Sequence, residues 1–279
     1  MTSLVRGNIA LERAICALVT EIVASGYDAV YAAWLSSPAF HEPWAKHAVD
    51  GEVAPGFEHL NFARVFDLAR LRDAPGLRFG DRVVDLACGA GGPGAWIAQE
   101  TGGVLVGIDV SRVGARLAHE RARGCALFGA GFVVGSVAHL PIADACAAGV
   151  MSLDSLQYVP DKRATFTEVL RVLGEGGRVA FTAFEVYPER VSDVPVLGVD
   201  PIDDYATLLR DVGLIVESYE ETPGWRDRLV AAYSAVLAAE PRLRPQLGDN
   251  AMDALMLEMA LTLQIEPYRR RVFAVARAR

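Results

Sequence analysis

The chain has 279 residues, 52% of them hydrophobic and 22% charged, the composition of a globular protein with a sizeable core. A formal net charge of -8 excludes a nucleic-acid backbone as the main partner, because a phosphate-binding face needs clustered Lys and Arg. The four cysteines, Cys16, Cys88, Cys125 and Cys146, form no C-x-x-C pair, which disfavours a zinc site or disulfide framework and suits a reducing, cytoplasmic setting.

In chain order, the first segment is helical. Leu11, Ile15, Leu18 and Ile22 recur at helical spacing opposite Glu12, Arg13 and Glu21, predicting an amphipathic helix over 8–24. Arg6, Glu12 and Arg13 interrupt any apolar run of the kind a signal peptide needs. Its apolar face has no evident partner in its own domain, so packing against a neighbouring chain in a homo-oligomer is expected. The following aromatic stretch, YDAVYAAWLSSPAFHEPWAKHA, is broken by Pro38 and Pro43 and completes a helical cap over residues 1–60.

From residue 61 to 279 the expectation is a Rossmann-like α/β core. Short β-branched runs at 82–87, 104–109, 131–135, 149–153 and 177–184 alternate with helical patterns, which implies a parallel sheet covered on both faces. Two further strands, 213–220 and 270–278, are separated by a helical insertion at about 224–268. Together these predict a seven-stranded mixed sheet. The 20 residues 124–143 lack Asp, Glu, Lys and Arg, but their glycines, proline and histidine read as a buried strand with its loops rather than a membrane span.

The stretch VVDLACGAGGPG carries Gly89, Gly91 and Gly94 at the G-x-G-x-x-G spacing of a dinucleotide loop. Asp85, at the mouth of the first strand, would repel a pyrophosphate and attract an ammonium or sulfonium group. Asp109, ending the second strand, can accept hydrogen bonds from both hydroxyls of a ribose. Polar residues also stand at the later strand ends: Ser136, Asp154 and Glu185. Five polar side chains at successive carboxyl ends of an open sheet read as one site. A ribose with an amine and a sulfonium points to S-adenosylmethionine.

The combination VVDLACGAGGPG, VGIDVS, GSVAHLPI, LDSLQYVPD and LRVLGEGGRVAFTAF, spanning about residues 80–220, resembles the class I S-adenosylmethionine-dependent methyltransferases, in particular the small-molecule enzymes of bacterial secondary metabolism. The resemblance implies that Asp85 and the backbone around Ala87, Cys88, Gly89 and Gly91 hold the methionine end of the cofactor. It implies that Asp109 takes the ribose hydroxyls, that Val110, Ser136 and Val137 line the adenine, and that Asp154 also meets the cofactor. Serine replaces the usual acid at 136, and CAAGV replaces a common aromatic–acid pair at 146–150.

For the transfer step, His59, Asp154, Glu185 and Tyr158 are the candidate catalytic residues. His139, in AHLPI, stands nearer the adenine side, while His41 and His47 belong to the cap. Trp34, Trp44, Phe57, Tyr158, Phe184, Tyr187 and Trp225 outnumber the available bases. That balance suits a hydrophobic acceptor, methylated at the carbon of an alkene or electron-rich ring, or at oxygen or nitrogen. One alternative is a cofactor-binding relative without transfer, such as a cyclase. Another is an NAD-dependent oxidoreductase using Tyr158 and Lys162, whose shared helix Pro160 would break.

Overall fold

The computed structural model describes residues 2–52, 54, 56–187 and 201–279, without the side chains of 2–15, 35 and 36. Seven strands form one sheet: β1 (Arg82–Leu86), β2 (Val104–Asp109), β3 (Gly131–Val134), β4 (Ala147–Leu153), β5 (Leu173–Val186), β6 (Ile215–Glu221) and β7 (Arg269–Arg277). Their order is β3-β2-β1-β4-β5-β7-β6. The pairs among β1 to β5 are parallel, and β7 runs antiparallel to both β5 and β6. This is the expected seven-stranded mixed sheet. Strand β5 begins earlier than its β-branched run, at Leu173, and the pairing with β4 shifts register between Ala147 and Gly149.

Alternating side chains build two cores. On one face, Val83, Met151, Ala180 and Phe273 pack against α3 (Val65–Asp73) and α4 (Gly92–Thr101). On the other, Val84, Val150, Phe181 and Ala274 pack with α6 (Lys162–Val172) and α7 (Tyr205–Asp211). Helix α5 (Arg112–Gly124) lies against β2 and β3 and is capped by Ser111, whose Oγ accepts from Gly114 N at 2.9 Å.

The third core belongs to helices α1 (Thr2–Ser36), α2 (Pro38–His47), α8 (Trp225–Ala238), α9 (Glu240–Leu247) and α10 (Asp249–Ile265). Trp34, Phe40, Trp44, Leu229, Leu243 and Met259 meet there with Phe62 and Phe184 at the sheet end. Helix α1 is longer than its stripe of apolar residues suggests. It runs through the first aromatics and ends where Pro38 forces Ser37 into the extended region, at φ -120 and ψ 94. Of the stripe, Leu18 and Ile22 are solvent-exposed, while the side chains of Leu11 and Ile15 lie outside the described residues. No helix among the described residues is long and apolar enough to cross a membrane.

Strand β7 joins the cores electrostatically. Its three consecutive arginines alternate across the sheet, so Arg269 and Arg271 face the cap while Arg270 faces away. Fully buried Arg271 donates from Nε to Asp154 Oδ1 at 2.7 Å and from Nη2 to Asp154 Oδ2 at 3.1 Å. It also donates to Thr222 Oγ1 at 3.1 Å. Asp154 Oδ2 accepts Phe62 N at 2.9 Å as well, fastening the segment before α3 to the tip of β4. Removing one partner of such a pair leaves an uncompensated buried charge. Arg271→Met is expected to cost about 3–5 kcal/mol in urea unfolding, with part of the loss recovered in Arg271→Met/Asp154→Leu.

Candidate cofactor and acceptor site

The glycine loop shapes the site by close approach. Gly91 sits at φ +72 and begins α4, and a Cβ there would lie 2.8 Å from the Ala118 side chain. A Cβ on Gly94 would lie 2.5 Å from Asp85 Oδ2. Gly92, which the loop spacing does not single out, brings α4 so near residues 57 and 58 that a Cβ would lie 2.6 Å from both carbonyls. Arg121 of α5 ties the same parts together, donating to Ala90 O at 2.9 Å and Glu58 O at 3.3 Å. His59, next in the chain, is thereby held over the loop.

A cleft of about 1040 Å³, open solvent included, lies along the carboxyl ends of β1, β2 and β4. Its wall includes Asp85, Ala87, Cys88, Gly91, Asp109, Val110, Ser136 and Val137, with His59, Asp154 and Tyr158 nearer the cap. Gly89 stands behind the wall against Tyr31, its N–H donating to Asp109 Oδ2 at 2.7 Å. Asp109 Oδ1 accepts Ser111 N at 2.7 Å. Each carboxylate oxygen keeps lone-pair capacity for a further donor.

Asp85 and Asp109 are almost fully buried, and no side-chain cation forms an ion pair with either among the described residues. Burial lifts Asp85 to about 8, with the Asp109 charge adding to the rise and the Gly94 N–H opposing it. Burial also raises Asp109, against the N–H groups of Ser111 and Gly89. Two enclosed carboxyls that lack a cation fit the ammonium and sulfonium of S-adenosylmethionine, with Asp109 placed for the ribose hydroxyls. A pyrophosphate would add negative charge where none is compensated.

The proposed catalytic residues separate into distinct environments. His59 is buried in the cleft wall, and neither ring nitrogen has a hydrogen-bond partner. Burial pushes it down to about 4, against the pull of the Asp154 carboxylate, so the imidazole is neutral with a free nitrogen lone pair. Asp154 borders the cleft, but both oxygens are committed to Arg271 and Phe62 N. Glu185 borders neither the cleft nor the apolar cavity behind it. It accepts from Arg270, Tyr219 Oη and Tyr205 N on the opposite face of the sheet. Tyr158 borders the cleft and donates to Glu258 Oε1 at 2.6 Å. Tyr158 ends a 3-10 turn, and α6 begins only at Lys162, so the two share no helix.

A second, apolar cavity of about 1880 Å³, open solvent included, lies behind Tyr158 and Tyr27 among α1, α2, α8 and α10. Trp44, Phe62 and Phe184 line it, and Tyr27, Leu60, Asp154 and Tyr158 border both spaces. Trp34 borders the cofactor cleft, Phe57 packs beneath α4, and Trp225 stands edge-on behind Phe184. Tyr27, Tyr31 and Glu258 escape a sequence reading based on strand ends. They come from helices remote in the chain, and only their aromatic or acidic character inside apolar helices hints at a site.

The depressed His59 sets a pH dependence of stability. The unfolded chain binds a proton near 6.5 and the native site only near 4, so stability falls as pH drops through that window. By pH 5 the loss is about 2 kcal/mol. In urea unfolding, His59→Gln is expected to lose less stability than the native chain between pH 7.5 and 5 by about that amount.

A family model described as a methyltransferase domain matches residues 84–181, from β1 into β5. The methyltransferase GfsG of Streptomyces halstedii is 34% identical over 185 residues, covering 62% of this chain and 66% of its own. The 27-O-demethylrifamycin SV methyltransferase of Amycolatopsis mediterranei is 32% identical over 166 residues, covering 53% of this chain and 61% of its own. The chain thus spans just under two thirds of these relatives. Among solved structures, the [4+2]-cyclase SpnF superposes with a TM-score of 0.72 at 20% identity, covering 92% of this chain and 94% of that one, a likeness of fold. Glycine loop, paired carboxyls, strand order and matched domain agree: residues 84–181 form a methyltransferase domain, and the chain is similar to the class I S-adenosylmethionine-dependent methyltransferases.

Proposed function

We propose that the protein transfers a methyl group to a hydrophobic small molecule of natural-product type, held in the apolar cavity beside the cofactor cleft. The observation that carries this reading is the shared wall: Tyr27, Leu60, Asp154 and Tyr158 border both spaces, so an acceptor in one adjoins a cofactor in the other. The two curated relatives bear names of methyltransferases, one acting on a rifamycin, which supports the acceptor class.

S-adenosylmethionine supplies a methyl group already activated by its sulfonium, so the protein's work is alignment and exclusion of water. Asp85 and the backbone of Ala87, Cys88 and Gly91 hold the amino-acid end. Asp109 takes the ribose, and Val110, Ser136 and Val137 take the adenine. Residues 1–60 and α8 to α10 act as a cap that encloses the acceptor. Where the acceptor is a hydroxyl or amine, neutral His59 takes its proton, a step worth about 10²–10⁴-fold. Where it is a carbon, the aromatic wall steadies the developing cation. Tyr158 orients the acceptor through Glu258. Asp154 serves the cofactor side by position, as the tie that fixes the cleft wall.

Calorimetric titration with S-adenosylhomocysteine and NADH tests the cofactor half. S-adenosylhomocysteine alone is expected to bind and to be weakened by Asp109→Ala; binding of NADH alone would overturn the reading. Because Asp85 must ionise to meet an ammonium, affinity should climb from pH 6 to 8 by up to about tenfold per unit. Asp85→Asn should flatten that rise.

A homo-oligomer through α1 belongs to the same proposal, supported by the exposure of Leu18 and Ile22 on one face. Analytical ultracentrifugation is expected to show a dimer or larger species that Leu18→Glu/Ile22→Glu converts to a monomer. A monomeric native chain would sink the idea.

A further inference from the structure

The apolar cavity contains a cation that pairs with no carboxylate among the described residues. Arg269, the first residue of β7, is only 7% exposed and lines the cavity. Its guanidinium carbon lies over the Phe184 ring, 4.1 Å from the centroid. Its Nε has no hydrogen-bond partner, and among the described residues no carboxylate comes within ion-pair distance of it. The neighbouring Arg270 and Arg271 both have carboxylate partners, Glu185 and Asp154. Arg269 alone of the three is turned toward the space where an acceptor would lie.

Its surroundings limit what it can bind. The negative groups that act on it through space, Asp154 and Glu258, are already engaged by Arg271 and Tyr158. Both carboxyls border the same cavity. A carboxylate brought to Arg269 would also meet Asp154 and Glu258 on the same apolar wall, and their repulsion would offset its attraction to the guanidinium. A neutral oxygen acceptor would satisfy the guanidinium without that cost. The planar fork, held by Phe184, presents fixed donors to such an oxygen.

We propose that Arg269 is a specificity residue that anchors a carbonyl oxygen on an otherwise apolar, uncharged acceptor. This rests on the acceptor assignment of the second cavity. Glu258 and Tyr158 stand on the same wall and suit a hydroxyl near that carbonyl, so an apolar skeleton bearing a ketone and a hydroxyl fits better than a pure hydrocarbon or an acid.

The test uses the full chain and three probes on one skeleton: 1-tetralone, tetralin and 1,2,3,4-tetrahydro-1-naphthoate. Each displaces the neutral fluorophore N-phenyl-1-naphthylamine, with and without S-adenosylhomocysteine. The native chain is expected to favour the ketone over the hydrocarbon about tenfold, as for a hydrogen bond to a charged group, with the carboxylate weaker than the ketone. Arg269→Leu should abolish the ketone preference and leave tetralin binding intact. Arg269→Lys, which keeps the charge but not the fork, should retain only part of it. An undiminished ketone preference in Arg269→Leu, tightest binding of the carboxylate, or no displacement by any probe would overturn the proposal. Affinity for S-adenosylhomocysteine, unchanged across the variants, shows that they fold. Its absence in the native chain would instead defeat the methyltransferase reading while leaving the ketone comparison to decide on Arg269.

Discussion

Two carboxyl groups enclosed in one cleft, with no ion-paired cation among the described residues, are the constraint around which this protein is arranged. Asp85 and Asp109 end adjacent parallel strands, so their proximity follows from the pairing of β1 with β2. An uncompensated pair of this kind is costly in a folded core and is tolerable only where a proton or a ligand brings the missing positive charge. The glycine loop exists in the same frame: any side chain at Gly94 would press on Asp85, and the Gly89 N–H is spent on Asp109. The cofactor is thus part of the electrostatic balance of the sheet's leading edge.

The cap obeys a different rule. Its core is aromatic and aliphatic, and it meets the sheet at Phe184 and Phe62 rather than through hydrogen-bonded strands. Trp44, Phe62 and Tyr233 meet as tilted rings at separations of 5.2 to 6.0 Å, which gives the apolar cavity one stiff wall. The opposite wall is made by α1 and α10. Asp28 on α1 accepts from Ser111 Oγ at 2.6 Å and Val113 N at 3.0 Å, so this wall is fastened to the N-terminus of α5, beside Asp109. The two halves of the site are therefore mechanically joined at both ends.

How much of this was legible in the sequence depended on the range of the interaction. Buried parallel strands are continuous β-branched runs, so VVDL and VLVGID declare both themselves and the acids that end them. The order of β7 before β6 at the sheet edge was foreshadowed only by a late strand following a helical insertion. The different environments of Asp154 and Glu185 were not legible, because both look alike as acids at strand ends. What separates them is the face of β7 from which an arginine reaches each one, a fact of pairing more than eighty residues away in the chain. Helix α1 was read as shorter than it is, since its polar and aromatic second half lacks a simple apolar stripe. Its true end is written in Ser37-Pro38. Likewise, the run Arg269-Arg270-Arg271 gives no sign by itself of its partners, which follow once the strand's two-residue period turns the first and third members to one face and the second to the other.

That period gives the last strand an unusual standing in the evolution of such a molecule. The helices between β6 and β7 are free to change length and wall chemistry, and with them the molecules admitted, because their ends merely enter and leave the sheet edge. The strand they return to has no such latitude. A slip of one residue in β7 would turn all three arginines to the opposite faces at once, and either Asp154 or the cavity would lose its arginine, according to the direction of the slip. A change in the helices α8 to α10 can thus be absorbed at the sheet edge, while the strand that follows them is held in place by charge on both faces.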